Sequence, residues 1–398
     1  MKRILTIYLK ELKDTLRDRR TLIMMVVIPL VLIPLIMTVT AKIAVSQNKK
    51  AKNKILQVCI ISNGNAADFV KLIKSENDIK INDAKNLEEI KDLIRKRKLD
   101  FGIVITKDFD NNLKNKTIND ISIYYRFSTE MDILKRRIMK VLDTYKSDII
   151  TKRLKSINMD NSFITPFNIT EKDLASQKER IGKAIGGFLP YLFVIFSFMG
   201  AFYPAIDLAA GEKERGTIET LLVSPSTRLQ IVLGKFLVVM QASLISAIIG
   251  FIGVYIAVLQ MNDAAGQLMN ILLKILEFKS IALVLSLLFP LSIFFAAILL
   301  SLSIYAKSFK EAQSIMTPLN FMVIIPAAIG MMPGIKLTTM TALIPILNIS
   351  LASKEILAGT IKIGLLAETY ISLFVLAGIS LYFCTQWFKR EDVVFRGL

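Results

Sequence analysis

Polar side chains are rare in the apolar stretches of this 398-residue chain, and few of them could do chemistry. Glu368 is the clearest, because a carboxylate inside an apolar stretch is costly in lipid and usually has a function. Four more residues could supply neutral side-chain oxygens: Thr317, Asn320, Asn348 and Ser350. Together the five predict a polar translocation path through a membrane. The alternative is that Glu368 reaches the outer polar interface of the bilayer.

Other chemistries are excluded by what the sequence lacks. It has no histidine, which rules out histidine triads, histidine-ligated metals and histidine proton relays. Cys59 and Cys384 are predicted on opposite sides of a membrane, so neither a disulfide nor a cysteine zinc site is expected. Gly211 and Gly216 have the spacing of a phosphate-binding loop, but Thr217 follows where that loop has a lysine. The sequence predicts no firm metal site, no cofactor bound by this chain and no ATPase activity of its own.

Composition places the elements that carry these residues in a bilayer. The chain is 53% hydrophobic with a mean hydropathy of +0.51, which is too apolar for a soluble protein of this length. Its net charge of +18 is spread along the chain, without a motif for nucleic acid. Runs of about 20 apolar residues can each cross a membrane. They predict a polytopic α-helical membrane protein with six transmembrane helices, over residues 21–41, 186–206, 231–258, 280–305, 314–332 and 363–388.

The segments outside these spans differ in character. Residues 1–20 predict a basic amphipathic helix along the interface, with one apolar line formed by Leu5, Leu9, Leu12 and Leu16. Prolines and glycines interrupt the apolar segment 333–362, which predicts a re-entrant pair of helices on the outer side. Residues 389–398 form a short tail.

Basic residues predict the orientation. The segments assigned to the inside hold 16 lysines and arginines, and the short outer loops hold five. Basic residues in short loops favour the cytoplasmic side. Both termini are therefore predicted in the cytoplasm.

The segment 42–183 is predicted to be an extracytoplasmic α/β domain between the first two spans. Strands are expected at 55–61, 101–105 and 121–126, and helices at 86–98 and 130–157. Alternating strand and helix patterns favour a mixed sheet with helices packed on it.

The most distinctive polar stretch is 207–230, between the second and third spans. Ile218, Leu221 and Leu222 have the spacing of a short helix with one apolar stripe. Acidic residues in the first turns would favour its N-terminus, and Pro225 would stop it. Thr227 and Gln230 predict a capping box that opens the third span. These signals predict a stiff cytoplasmic helix loop, although an ordinary solvated loop is the alternative.

This stretch, GEKERGTIETLLVSPSTRLQIVLGK, resembles the coupling-helix signature of ABC-2-type exporter permeases. The basic leader KELKDTLRDRRTL and the order of one span, a large outer domain and five spans are also similar to that family. The resemblance covers essentially the whole chain and is greatest to the NatB-type membrane subunit of two-component sodium exporters. Eight residues match the coupling motif: Glu212, Arg215, Gly216, Thr217, Glu219, Leu221, Leu222 and Pro225.

The resemblance implies a bacterial half-transporter in the cell membrane. Two copies of this chain would pair as a homodimer, and two copies of a separate ABC ATP-binding subunit, which holds ATP and magnesium, would dock beneath. Leu221 and Leu222 would fill a groove of that subunit, with Glu212, Arg215 and Glu219 at its rim. Sodium export is the cargo that the resemblance implies, although no preformed carboxylate cage is visible. Export of an antimicrobial peptide, drug or lipid is one alternative; a membrane-anchored receptor for an extracellular ligand, or a structural protein, is another.

Overall fold

The apolar runs form long helices in a computed structural model of the chain. The structure describes all residues except 1, 63–65, 128–130, 166, 168–169, 171, 177, 180–181, 184–185, 218–219, 221–223, 261–275 and 391–398. The chain divides into two units, residues 1–41 with 174–398 and residues 42–173. Each unit is described by itself.

Six helices of the described residues are long and apolar enough to cross a membrane: Arg19–Asn53, Phe188–Glu214, Arg228–Gln260, Phe278–Tyr305, Phe309–Ile329 and Ile363–Lys389. The first starts as α2 (Arg19–Leu22), widens into a π-helix (Ile23–Leu32) and continues as α3 (Ile33–Asn53). Pro29 lies inside the π-helix. A π-helical turn is one way in which a helix accommodates the backbone N–H that proline lacks.

The second long helix ends later than predicted. It consists of α8 (Phe188–Ile206), a π-helical turn (Asp207–Gly211) and α9 (Glu212–Glu214). Gly216 then adopts a left-handed conformation with φ +67°, and its N–H donates to the carbonyl of Lys213. A left-handed glycine is a common helix stop. The predicted second span, 186–206, thus covers only part of a helix that continues to Glu214, and Glu212 lies in the last turn of that helix instead of the first turns of the next one.

Five more helices complete the bundle of this unit. They are α1 (Lys2–Thr15), α10 (Arg228–Gln260), α11 (Phe278–Tyr305), α12 (Phe309–Ile329) and α15 (Ile363–Lys389), and α12 packs beside α8. Gly200 of α8 permits close packing on α10, since a Cβ there would lie 2.4 Å from the Cβ of Ser246. Hydroxyls of Ser197, Ser243 and Ser292 join α8, α10 and α11 in one buried hydrogen-bonded cluster. Such polar contacts between apolar helices stabilise their association in lipid.

Two short helices occupy the predicted re-entrant segment. They are α13 (Thr339–Ala342), opened by a capping box at Thr338, and α14 (Leu347–Ala358). Most side chains of α14 are buried against the bundle, which is how interrupted helices keep their backbone groups satisfied.

The unit of residues 42–173 contains a four-stranded sheet. Its strands are β1 (Leu56–Ile61), β2 (Ile79–Asn82), β3 (Phe101–Ile105) and β4 (Ile121–Tyr125), in the order β2-β1-β3-β4. The first three are parallel and β4 is antiparallel to β3. The mixed sheet was predicted, whereas β2 was missed because it is short and half-exposed.

Helices cover both faces of this sheet. The helices are α4 (Ala67–Ser75), α5 (Leu87–Arg95), α6 (Phe109–Lys114) and α7 (Met131–Lys155). Phe69 of α4 packs with Phe101 and Ile103 on one face, and Ile90 of α5 packs with Cys59 on the other. Gly102 lets α5 approach the sheet, because a Cβ there would lie 2.2 Å from Ile90 Cγ2.

Candidate functional site

Glu212 lies in the last turn of the second long helix, and the other predicted coupling residues come after it in the sequence. Five of the eight lie in the described part of the chain: Glu212, Arg215, Gly216, Thr217 and Pro225. Glu219, Leu221 and Leu222 lie outside the described residues, as does the apolar stripe that they were predicted to form.

Four of those five residues are exposed: Arg215, Gly216, Thr217 and Pro225. We refer to residues 215–227 as the exposed segment after these four residues; residues 218–219 and 221–223 lie outside its described part. The Arg215 guanidinium donates to Asp207 Oδ1 at 2.8 Å, and Thr217 Oγ1 donates to the Glu212 carbonyl at 3.3 Å. The hydrogen bond to Asp207 raises the pKa of Arg215 further above its usual range. These local bonds fix the start of the exposed segment relative to the helix before it.

The other end of the exposed segment is fixed as well. The Gln230 backbone N–H donates to Thr227 Oγ1 at 3.3 Å, and the Thr227 N–H donates to Gln230 Oε1 at 3.1 Å. This reciprocal pair is a capping box, which confirms the prediction for the start of α10. The Arg3 side chain of α1 donates to the Pro225 carbonyl between them.

Glu212 corrects the predicted rim of the docking surface. Its side chain is only 3% exposed, and it forms ion pairs with Lys235 of α10 and Lys10 of α1. A carboxylate that is buried and paired within its own chain cannot also pair at a partner's surface without losing those contacts. Among the charged residues of the predicted rim that the structure describes, Arg215 is the exposed one.

Lys235 lies at the centre of this buried arrangement. Its ammonium is 3.0 Å from Glu11 Oε1, 2.8 Å from the Leu208 carbonyl and 2.6 Å from Glu212 Oε2. The contact to Glu212 Oε2 is an ion pair, without the direction of a hydrogen bond. Lys235 and Glu11 are each 1% exposed. We call Glu11, Glu212 and Lys235 the buried ionic cluster.

Lys10 completes the charge balance of the buried ionic cluster. Its ammonium lies 3.2 Å from Glu212 Oε1 and 3.3 Å from Glu11 Oε1, so two cations meet two carboxylates. Burial raises the pKa of Glu11 above its usual value, against the opposing effect of the Lys235 ammonium.

Helix α1 presents an unpredicted face to the bundle. Its buried residues are Ile7, Glu11 and Thr15, whereas Leu5 and Leu9 of the predicted apolar line are more than half exposed. A face that carries Glu11 and Thr15 thus packs on protein, and Leu5 and Leu9 remain exposed. The i, i+4 spacing of Ile7, Glu11 and Thr15 was the available signal, together with a lysine at the start of an apolar helix.

The five predicted path residues are not all accessible. Asn348 and Ser350 of α14 are fully buried. The Asn348 amide donates to the Ala342 carbonyl and accepts from the Ile349 N–H, and Ser350 donates to the Ala327 carbonyl. Their polar atoms bond to the protein's own backbone, so in this structure neither side chain is open to a path.

The other three path residues are partly open. Thr317 is exposed on α12 and Asn320 is half-buried on the same helix. Glu368 of α15 is half-buried, and its Oε2 is buried without a hydrogen-bond partner among the described residues. Within the part of the chain that the structure describes, no three acidic or cysteine side chains converge as a metal site.

Among the described residues, several apolar helices are long enough to cross a bilayer, which defines a helical membrane protein. The chain belongs to the ABC-2 transporter family, because residues 19–385 match the model described as "ABC-2 family transporter protein". It is also 25% identical over 394 residues to the ABC transporter permease protein NatB of Bacillus subtilis (strain 168), with 98% of each chain covered. The chain is thus an ABC-2 permease, a transport subunit whose ATPase lies in a separate subunit, rather than the receptor considered from sequence.

Proposed function

We propose that this permease exports sodium ions from a bacterial cell, driven by ATP hydrolysis in a separate subunit. Two copies of the chain would form the membrane part, and two copies of the ATP-binding subunit would dock at the exposed segment. In this proposal six helices span the membrane, both termini are cytoplasmic and the α/β unit is extracytoplasmic. ATP and magnesium are held by the partner subunit.

The observation that carries the exporter proposal is how the exposed segment is attached. One end follows the helix stop at Gly216 and the other enters α10 through the capping box at Thr227. We propose that a push on this segment moves both helices, because each helix is anchored at its own end of the segment. Leu221 and Leu222 are the proposed apolar contacts in the partner's groove, with Arg215 and Glu219 at the rim. Buried apolar contacts of this kind dominate binding energy over exposed charges.

A polar stripe on α12 supports a path for a small cation. Gln313, Thr317 and Asn320 follow one another at i, i+4 and i+7, the spacing of one helix face. Gln313 and Thr317 are exposed. Polar side chains of membrane helices normally face protein or water rather than lipid. We therefore place this stripe towards the second copy of the chain, where side-chain oxygens would line the route.

Glu368 adds a charge to this proposal. Its buried and unpartnered Oε2 is costly in the free protein, and a passing cation would offset that cost. Hydroxyl, amide and carboxylate oxygens are ligands that suit hard cations. Thr317, Asn320 and Glu368 are thus the retained path residues.

A second cargo is favoured by the apolar residues beside the polar stripe. Phe321, Met322 and Ile325 of α12 are 62%, 67% and 55% exposed. An amphipathic peptide, drug or lipid would contact both the apolar and the polar residues of this surface. The route would then run along the α12 surface, without a cage of cation ligands.

The experiment that tests cargo and path uses two threonines in equivalent settings. Thr317 and Thr40 are both exposed on long helices, and each donates to the carbonyl four residues earlier at 2.7 Å. The permease is reconstituted with its ATP-binding subunit in liposomes that contain a fluorescent sodium indicator. We expect Thr317→Val to slow ATP-dependent sodium movement about three-fold, and Thr40→Val to leave it unchanged.

Two outcomes would contradict the sodium proposal. Equal effects of the two variants would remove Thr317 from the path. ATP hydrolysis with movement of a labelled cationic peptide or lipid, but without movement of sodium, would keep the exporter and replace its cargo.

A further inference from the structure

The buried ionic cluster joins three elements that are distant in sequence. Glu11 comes from α1, Glu212 from the end of the second long helix and Lys235 from the start of α10. The Leu208 carbonyl belongs to the π-helical turn of that same second helix. The Lys235 ammonium donates hydrogen bonds to Glu11 Oε1 and the Leu208 carbonyl, and it forms an ion pair with Glu212 Oε2 at 2.6 Å. The position of Lys235 is therefore fixed by all three elements at once.

Tight apolar packing accompanies these charges. A Cβ on Gly234 of α10 would lie 2.6 Å from Ile7 Cγ2, so α1 and α10 approach more closely than most side chains permit. The Tyr8 hydroxyl donates to Gln241 Oε1, about two turns further along α10. The Arg3 contact with Pro225 extends the same interface to the exposed segment. Helix α1 is thus attached to α10 along its length.

A buried ion pair is a poor stabiliser compared with apolar residues of the same size, because each charge must lose its hydration. Its distinctive property is that it accepts one arrangement and penalises others, since any separation leaves a charge buried without a partner. Lys235 is also close in sequence to the exposed segment, which ends eight residues before Lys235 at the cap of α10. A fixed arrangement at this place is what transmission of a push requires.

We propose that Lys235 is a positioning residue: with Glu11 and Glu212 it clamps α1, the end of the second long helix and the start of α10 into one rigid block. Displacement of the exposed segment by the ATP-binding subunit then moves both spans together. This inference rests on the proposed function and adds to it the junction through which the force passes. Helix α1 is part of the moving block and keeps its contact with α10 throughout the cycle.

The first test replaces the charges and retains the volumes. The variant Lys235→Met with Glu11→Gln and Glu212→Gln leaves no buried charge unpaired, so it can fold. The measured quantity is the factor by which the permease stimulates ATP hydrolysis by the co-purified ATP-binding subunit. We expect normal co-purification and a stimulation reduced about five-fold. Lys310→Met, at an exposed lysine after α11, is the control and should match the wild type.

The outcomes separate the inference from the proposed function. Wild-type permease that neither binds nor stimulates an ATP-binding subunit would overturn both. Stimulation by the wild type and equal stimulation by the triple variant would overturn the clamp alone and leave the cluster as a stabilising contact. If the triple variant fails to fold, the second measurement tests the clamp in its place.

The second measurement closes the same junction covalently. In a background with Cys59→Ala and Cys384→Ala, the pair Ile7→Cys and Gly234→Cys is oxidised. The Ile7 Cβ lies 3.0 Å from the position of a Cβ at residue 234, close to the span of a disulfide. We expect the disulfide to form and ATP stimulation to persist. Loss of stimulation on oxidation that a reductant restores would show that α1 and α10 must separate, and it would overturn the clamp.

Discussion

Polar groups occur in two contrasting settings within the helical unit. In the buried ionic cluster, Lys235 and Glu11 are each 1% exposed and every charge faces an opposite one. On α12 and α15, Thr317 is exposed and Glu368 Oε2 has no hydrogen-bond partner among the described residues. Paired buried groups fix geometry, whereas open or unpartnered groups are available to something that the chain does not itself contain. We therefore assign the first setting to force transmission and the second to cargo.

The largest effect is expected from breaking a paired group. Lys235→Met leaves two buried carboxylates without their main partner, which should lower the free energy of unfolding by about 3–5 kcal/mol. Thermal unfolding of the purified permease in nanodiscs measures this, with Lys310→Met as the control. A melting temperature for Lys235→Met equal to that of the control would contradict the assignment of Lys235 as a buried ion-pair centre.

The reverse pattern is expected at the unpartnered carboxylate. Glu368→Gln removes a costly charge, so the melting temperature should stay constant or rise, while sodium movement falls about ten-fold, or roughly 1.4 kcal/mol. Glu355→Gln is the matched control, because the Glu355 carboxylate accepts a hydrogen bond from the Leu337 N–H. If Glu368→Gln lowered the melting temperature and spared transport, the two settings would not differ in the way proposed.

Two serines of α10 sharpen the comparison without any charge. Ser243 and Ser246 are both fully buried, but Ser243 Oγ donates to the Ser197 carbonyl at 2.8 Å and Ser246 Oγ has no hydrogen-bond partner among the described residues. Ser243→Ala should destabilise the bundle by about 0.6–1.7 kcal/mol, and Ser246→Ala should cost nothing. Urea or thermal unfolding of the two variants measures how much stability each has lost. Equal losses in the free energy of unfolding would show that burial alone, and not the hydrogen bond, determines the destabilisation.

The smallest effect is expected from replacing Arg215, the exposed charge at the start of the exposed segment. Arg215→Ala removes an exposed ion pair with Asp207 and one candidate contact with the partner subunit. Exposed pairs contribute about 0–1 kcal/mol, and salt screens them. Affinity for the ATP-binding subunit, measured by biolayer interferometry, should weaken less than about five-fold at low salt. At high salt the variant should equal the wild type, and a larger loss that salt does not reduce would make Arg215 a buried contact.

The positions of the long helices could be predicted because hydropathy is a local property. The sixth predicted span, 363–388, differs by one residue from the helix Ile363–Lys389, and the predicted strand at 101–105 coincides with β3. The capping box at Thr227 was predictable for the same reason, since both partners lie within one helical turn.

The buried ionic cluster could not be predicted because its partners are far apart along the chain. Glu11 and Lys235 are separated by 224 positions, and only the docking of α1 on α10 brings them together. Glu212 was misassigned for the same reason, since in sequence it resembles an exposed acid in a polar loop. Gly216 is a local signal for where the second long helix ends, because a left-handed glycine stops a helix. In the sequence it was interpreted as part of the coupling motif instead.

The measurement that tests the central claim most directly compares wild type with Leu222→Asp in liposomes. Each permease is reconstituted with its ATP-binding subunit, and ATP hydrolysis and internal sodium are followed together. We expect ATP-dependent sodium movement for the wild type, and its loss for Leu222→Asp because a buried charge would exclude the exposed segment from the partner's groove. Undiminished sodium movement with Leu222→Asp would contradict docking at this segment, and an absence of any bound ATP-binding subunit with the wild type would contradict the exporter itself.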